Sequence, residues 1–116
     1  MAEIEKSRHF GKGLRLTREG EIRRVIKGRK KETRWATVFF LPQPETRAGF
    51  SARKALGNAV VRNRAKRRLR EFFRQNREGL PRGWYLFVAK AEAAEGDFSE
   101  MCRGLLKELS LLSLYS

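Results

Sequence analysis

Residues 62–70 read Arg-Asn-Arg-Ala-Lys-Arg-Arg-Leu-Arg, which places six cationic side chains in nine residues. Apolar residues recur in and beside this stretch at the spacing of an α-helix. At about 100° per residue, one stripe on the helix is formed by Val61, Ala65, Leu69 and Phe72, with Phe73 at its margin. Strand-like segments flank the stretch, so its apolar side is expected to pack on a sheet. The pattern therefore predicts an amphipathic helix with cations on its open side, capped by Asn58.

The positive charge is concentrated around this helix. Residues 47–77 carry eleven Lys or Arg and one acid, Glu71, which gives a local charge of +10 out of a chain total of +14. Acids on neighbouring turns usually neutralise a charged helix face, but Glu71 alone cannot balance seven cations in residues 62–74. Arginine forks suit phosphate oxygens, and Asn63 offers a group suited to a 2′-hydroxyl or a base edge. The pattern predicts a protein that binds a phosphate backbone. The polar side comprises Asn63, Lys66, Arg67, Arg70 and Arg74.

Length and composition limit the alternatives. A chain of 116 residues with a hydrophobic fraction of 41% fits one globular domain. We expect a mobile basic arm over residues 1–13 and a single RNA-binding domain over residues 14–116. No apolar run reaches the roughly 18 residues that span a bilayer, residues 1–12 lack the apolar core of a secretory signal, and Cys102 is the only cysteine. These features favour a cytoplasmic protein without a membrane partner, and nothing in the sequence indicates a protein partner.

Outward from the basic helix, the sequence predicts an α+β domain. A first helix is expected over residues 18–27, capped by Thr17. Strands are expected over residues 35–41, 47–52 and 84–89, the first two forming an antiparallel hairpin. A closing helix starts after a capping box formed by Asp97 and Glu100. The order is helix, strand, strand, helix, strand, helix, on a small mixed sheet covered by helices on one face, with the basic helix crossing between strands.

Residue types that would support catalysis are scarce. The only histidine is His9, and one histidine with one cysteine cannot build a zinc site unless carboxylates cluster with them. The segment Gly11-Lys12-Gly13 is too short for a phosphate-binding loop. We therefore predict no catalytic residue and no protein-bound metal.

The nature of the polyanion is less strongly specified. A membrane-surface helix would be expected to stand alone rather than between strands. A DNA-reading helix normally belongs to a helical bundle, whereas a sheet that carries aromatic residues beside a cationic helix suits single-stranded nucleotides. RNA is thus favoured, with a ribosomal protein on a similar scaffold and a DNA-binding regulator as the open alternatives.

Residues 56–70, Leu-Gly-Asn-Ala-Val-Val-Arg-Asn-Arg-Ala-Lys-Arg-Arg-Leu-Arg, are similar to the signature helix of the protein component of bacterial ribonuclease P. Gly49-Phe50-Ser51 followed by Lys54 resembles the strand that leads into that helix. Phe87-Val88-Ala89-Lys90 resembles a later strand ending in a basic residue. The resemblance extends from about Leu14 to Leu112.

The resemblance implies a subunit of an endoribonuclease that removes the 5′ leader from precursor tRNA and leaves a 5′-phosphomonoester. The chemistry resides in a catalytic RNA that holds Mg²⁺, and the protein contacts both that RNA and the leader, strengthening substrate and Mg²⁺ binding. Carried over by motif, the RNA-binding residues are Lys54, Arg62, Asn63, Lys66, Arg67 and Arg70. The leader would lie in a cleft between the signature helix and the sheet, against Ile22, Ile26, Phe39 and Lys90. The family has two aromatic residues near the places of Ile22 and Ile26, and isoleucine has no π-face to stack on a base.

Overall fold

The computed structural model describes residues 15–16 and 19–112. The predicted arm over residues 1–13 and the predicted cap Thr17 lie outside these ranges. Four strands and four α-helices follow one another along the described chain. Their order is α1 (Glu19–Val25), β1 (Arg29–Glu32), β2 (Ala36–Pro42), β3 (Arg47–Ser51), α2 (Ala59–Asn76), β4 (Gly83–Ala89), α3 (Ala91–Glu95) and α4 (Phe98–Leu109).

The strands form one mixed sheet in the order β1-β2-β4-β3. β2 runs antiparallel to both β1 and β4, while β3 runs parallel to β4, so α2 is the crossover between two parallel neighbours. The predicted α+β class and the basic helix between strands are confirmed. The predicted hairpin of β2 with β3 is wrong, because β4 lies between them. β4 has apolar residues on both of its faces, and a strand of that kind is most stable in the centre of a sheet with a partner on each side.

Helices cover both faces of the sheet, which corrects the expectation of cover on one face. On the first face, α2 and α4 pack on β2 and β4 in a core cluster that contains Val38, Phe40, Leu69, Phe72, Phe73, Tyr85, Phe87, Met101, Leu105 and Leu109. On the second face, α1 contributes Val25 to a smaller cluster with Leu16, Trp84 and Leu86. Successive side chains of β4 alternate between these clusters, so an uncovered second face would expose Trp84 and Leu86 to water.

A half-buried arginine holds α1 on this second face. The Arg47 guanidinium on β3 lies 2.5 Å from Glu21 on α1. Two guanidinium groups also lie over Trp84, with the Arg24 carbon 4.9 Å and the Arg47 carbon 5.6 Å from its ring centroid. These contacts join α1 to β3 and β4, and they fix the position of the helix beside the middle of the sheet.

The turn between α1 and β1 requires glycine. A Cβ atom on Gly28 would lie 2.3 Å from the backbone oxygen of Phe40 on β2, which is too close for any side chain. We expect Gly28→Ala to lower the free energy of unfolding by about 1–3 kcal/mol, the usual cost of overpacking. Urea denaturation followed by circular dichroism measures the change.

Gly20 on α1 is the matched control for this prediction. A Cβ atom there meets nothing within 4 Å. Gly20→Ala should leave the protein unchanged or up to about 1 kcal/mol more stable, because alanine is the better helix former. Equal denaturation midpoints for the Gly28→Ala variant and the wild type would show that the turn relaxes without cost.

Candidate nucleic-acid interface

The local sequence of α2 determines how the helix is placed. The Asn58 side chain accepts a hydrogen bond from the backbone N–H of Val61 at 3.0 Å, which confirms the predicted cap. The buried side chains of α2 are Ala65, Leu69, Phe72 and Phe73, as the helical wheel predicts, while Val61 is half-buried and packs against the same core. The helix is therefore held by its apolar stripe, and the orientation of its cations follows from that packing.

The open side of α2 carries a group of exposed and half-buried cations. Asn63, Arg64 and Arg67 are exposed, and Arg62 and Lys66 are half-buried. Within residues 15–16 and 19–112, none of the four cations in this group forms an ion pair. We call Arg62, Asn63, Arg64, Lys66 and Arg67 the cationic face. Its charge is uncompensated by the described part of the chain, so it attracts polyanions.

Two other arginines of α2 are engaged within the protein. Arg68 donates hydrogen bonds to the backbone oxygens of Ala94 at 2.9 Å and Gly96 at 2.6 Å, which joins α2 to α3 and the residue after it. Arg74, predicted on the open polar side, forms a two-pronged ion pair with Glu71. That pair lowers the pKa of the Glu71 carboxyl group. Sequence reasoning could not separate Arg68 from the open arginines, because its partners Ala94 and Gly96 are distant in sequence.

Arg70 lies at the junction of α2 and β3. Its guanidinium carbon is 5.4 Å from the ring centroid of Phe50 on β3. Burial against the protein lowers the pKa of Arg70, and the nearby charge of Arg15 lowers it further. Lys54 is exposed in a short 3₁₀ helix, Lys54–Leu56, between β3 and α2. Of the predicted RNA-contacting residues, Lys54 therefore lies just before α2, and Arg70 lies on the side of α2 that faces β3. The guanidinium group of Arg70 packs on the ring of Phe50.

A cleft of about 420 Å³ lies on the second face of the sheet, where Phe39 and Val88 pack against the cluster that contains Val25 of α1. It contains two of the predicted leader-contacting residues, Phe39 and Lys90. No local signal in the sequence marks its charged residues Lys30, Glu32 and Arg53, which come from β1 and the segment after β3. The lining residues are Lys30, Glu32, Thr37, Phe39, Arg53, Val88, Ala89 and Lys90.

The two predicted isoleucines are not among the residues that line this cleft. Ile22 is half-buried and packs against the cluster on the second face, as Phe39 and Val88 also do. Ile26 is 44% exposed at the end of α1. The resemblance implied a cleft between α2 and the sheet, whereas this one is lined by no residue of α2 and lies on the opposite sheet face from the α2 core.

The charged groups of the cleft form one connected set. Lys90 follows β4 directly, and its ammonium group donates to the backbone oxygen of Thr33 at 2.7 Å and lies 2.9 Å from Glu32. Hydrogen bonds from Lys90 and Thr37 lower the pKa of Glu32 to about 2. Glu32 is therefore ionised at neutral pH, and the cleft carries three cations and one carboxylate.

No chemically reactive constellation is visible in the described part of the chain. Residues 15–16 and 19–112 contain no group of three His, Cys, Asp or Glu side chains that could hold a metal ion. Burial raises the pKa of the Cys102 thiol, which disfavours the reactive thiolate. None of the described helices combines the length and the apolar character that crossing a membrane requires. What the geometry offers is binding: a cationic face on one side of the sheet and a charged cleft on the other.

Fold and site together define a small basic α+β protein that presents two cationic surfaces on a four-stranded sheet. The chain belongs to the ribonuclease P protein family, since the family model described as Ribonuclease P matches residues 10–112. The resemblance that the signature residues indicate is thereby confirmed.

Relatives of known sequence agree with this assignment. The ribonuclease P protein component of Thermus thermophilus is 43% identical over 99 residues, which are 85% of this chain and 60% of the relative. The chain thus spans about 60% of the length of the Thermus relatives it matches. The component from Caldanaerobacter subterraneus is 35% identical over 105 residues, covering 87% of this chain and 90% of the relative.

Solved structures share the fold. A mutant of the RNase P protein from Staphylococcus aureus superposes with a TM-score of 0.77 at 25% identity, covering 88% of this chain and 90% of that one. The RNase P protein from Thermotoga maritima gives a TM-score of 0.71 at 28% identity, covering 84% and 94% of the two chains. The small α+β domain with its four-stranded mixed sheet therefore matches the architecture of these proteins.

Proposed function

We propose that this chain is the RNA-binding protein subunit of ribonuclease P, acting in the cytoplasm to remove 5′ leaders from precursor tRNA. In this proposal the catalytic RNA subunit performs the endonucleolytic hydrolysis with Mg²⁺ that the RNA holds. The protein binds that RNA and the leader, and it strengthens substrate and Mg²⁺ binding without supplying a catalytic residue. Family membership supports the assignment, and the two cationic surfaces of the described residues support a role in binding.

The observation that carries the proposal is the cationic face of α2. Its cations have no carboxylate partner among the described residues, and they lie on a helix whose other side packs in the core through Ala65, Leu69, Phe72 and Phe73. A folded RNA supplies closely spaced phosphates, and contact with them would release bound counterions. In the proposal Lys54 and Arg70 extend this contact at the flank of α2.

The cleft is the proposed site of the leader. It combines the ring of Phe39, on which a base can stack, with the ammonium and guanidinium groups of Lys30, Arg53 and Lys90 for phosphates. In this arrangement the catalytic RNA and the leader contact opposite faces of one sheet, so that the protein bridges enzyme and substrate. In the proposal Ile22 on α1 and Ile26, the residue after α1, also contact the leader.

Reconstitution tests the proposal directly. The chain is mixed with a bacterial ribonuclease P RNA and a 5′-labelled precursor tRNA at a Mg²⁺ concentration where the RNA alone is nearly inactive. We expect the chain to restore cleavage at the mature 5′ end. It should also raise the affinity for precursor tRNA more than the affinity for mature tRNA. A chain that binds the RNA but does not stimulate cleavage would favour the ribosomal-protein alternative. Displacement of the RNA by duplex DNA at equal phosphate concentration would favour the DNA-binding alternative.

A further inference from the structure

The cleft contains one feature that opposes polyanion binding. Three of its lining residues, Lys30, Arg53 and Lys90, are cationic, and Glu32 is an acid placed among them. A carboxylate beside a phosphate site repels the phosphate and also occupies the cations that would bind it. The presence of Glu32 in this position therefore needs a physical explanation.

Glu32 is fixed by contacts from three directions. It stands opposite Thr37 in the register of β1 with β2, and its Oε1 accepts a hydrogen bond from the Thr37 hydroxyl at 2.8 Å. The Lys90 Nζ lies 2.9 Å from the same oxygen, and the Lys30 Nζ lies 3.4 Å from Oε2. Both carboxylate oxygens thus face cleft cations, much as the oxygens of a bound phosphate would.

The hydrogen bonds of Lys90 within the protein reduce the number of protons that it can donate to a ligand. An ammonium group has three protons to donate. One is directed to the backbone oxygen of Thr33 at 2.7 Å and a second to Glu32. A phosphate entering the cleft finds one proton free, and it must compete with Glu32 for the second.

We propose that Glu32 acts as an internal competitor of the leader phosphate for Lys90 and Lys30, and so holds the affinity of the cleft for single-stranded RNA below what its cations alone would give. This inference rests on the proposed leader-binding role of the cleft. The leader is a product once the phosphodiester is cleaved, and a cleft weakened in this way releases it more readily. Glu32 is thus a positioning residue that acts through the two lysines.

The test uses Glu32→Gln, which removes the charge and keeps the size of the side chain. The probe is a fluorescein-labelled ten-nucleotide single-stranded RNA, titrated with the full chain and followed by anisotropy at several KCl concentrations. We expect binding to be about two- to fivefold tighter, the range of an exposed ion pair released for the ligand. The plot of log affinity against log salt should become steeper by about 0.7, the value for one further phosphate contact on a single strand.

Glu108→Gln is the matched control. Glu108 on α4 pairs with Lys31 at 3.1 Å, and Lys31 is the neighbour of Glu32 on β1 but lies outside the cleft lining. The substitution makes the same charge change, so its affinity and salt slope should stay at the wild-type values. In the double variant Glu32→Gln/Lys90→Gln, the gain from the first change should largely disappear, because Lys90 is the group released. Unchanged or weaker binding by Glu32→Gln overturns the inference, and so does an equal gain in the Glu108→Gln control.

The outcome is distinguishable from failure of the proposed function. Tighter binding of the RNA probe by Glu32→Gln, without any stimulation of precursor cleavage by the wild type, leaves the competition between Glu32 and RNA phosphate intact and rejects the ribonuclease P role. Stimulation of cleavage by the wild type, with unchanged probe binding by Glu32→Gln, rejects this competition and leaves the ribonuclease P role intact. If the wild type stimulates cleavage and Glu32→Gln binds the probe more tightly, Glu32→Gln should also slow multiple-turnover cleavage relative to single-turnover cleavage, because the leader dissociates more slowly.

Discussion

Replacing Leu69 with alanine should lower the free energy of unfolding by about 2–5 kcal/mol. Leu69 is 0% exposed and stands at the centre of the buried stripe of α2. Its truncation removes the apolar contacts of the side chain and leaves a cavity between the helix and the sheet, where aromatic rings of β4 are too rigid to fill the space. Chemical denaturation of the isolated chain measures the loss.

Arg67→Ala provides the control on the same helix. Arg67 is exposed and forms no ion pair within the described residues, so its removal should change the free energy of unfolding by less than about 0.5 kcal/mol. The two residues are close in sequence and lie on opposite sides of α2. Near-wild-type stability for Leu69→Ala would mean that the helix is not held by its apolar stripe, and the orientation of the cationic face would then lose its explanation.

The contrast between these neighbours shows why α2 was predictable from sequence. Its cap at Asn58, its apolar period and its cations are all local signals, and the structure places the cap and the buried stripe as the helical wheel requires. The closing helix is similar, since the Asp97 side chain accepts from the backbone N–H of Glu100 at 2.8 Å as a cap should. Where the determining contacts lie within a few turns of one helix, residue patterns are sufficient.

The sheet was less predictable because strand order depends on distant contacts. β1 reads Arg-Lys-Lys-Glu, with no apolar alternation and no β-branched residue, so no local signal marks it as a strand. Its pairing with β2 depends on the close approach of Gly28 to the backbone of Phe40 and on cross-strand contacts such as Glu32 with Thr37. α3 was missed for a related reason, since five residues are too few to show a helical period.

The candidate site likewise has one part that could be predicted from the sequence and one part that could not. The cationic face could be predicted because its residues belong to one helix, whereas the cleft gathers residues from β1, β2, β4 and the segment after β3. Phe39 and Lys90 came from the family resemblance, and Lys30, Arg53 and Glu32 required the tertiary structure. The hydrogen bonds that distinguish Arg68 from the cationic face likewise required the tertiary structure, since their acceptors Ala94 and Gly96 lie beyond β4.

The double substitution Arg62→Ala/Arg67→Ala should weaken binding to a bacterial ribonuclease P RNA by about 10- to 100-fold. The expected range corresponds to the loss of two charge-assisted contacts of about 1.5–3 kcal/mol each, reduced for solvent exposure. The plot of log affinity against log salt should become shallower by about 1.4–1.8, because two fewer phosphates are neutralised. Binding of labelled RNA across a KCl series at fixed Mg²⁺ measures both quantities, and the thermal melting temperature should remain close to that of the wild type.

Arg103→Ala/Lys107→Ala removes the same total charge from α4 and serves as the control. Both side chains are exposed, and neither forms an ion pair within residues 15–16 and 19–112. If the RNA responded only to the net charge of the chain, the two double variants would lose affinity equally and their salt slopes would change together. A selective loss in the α2 variant requires instead that the RNA docks on the cationic face. That result would connect the packing of α2, which Leu69 secures, to the assembly of the ribonucleoprotein, because the same helix buries one side in the core and presents the other to phosphate.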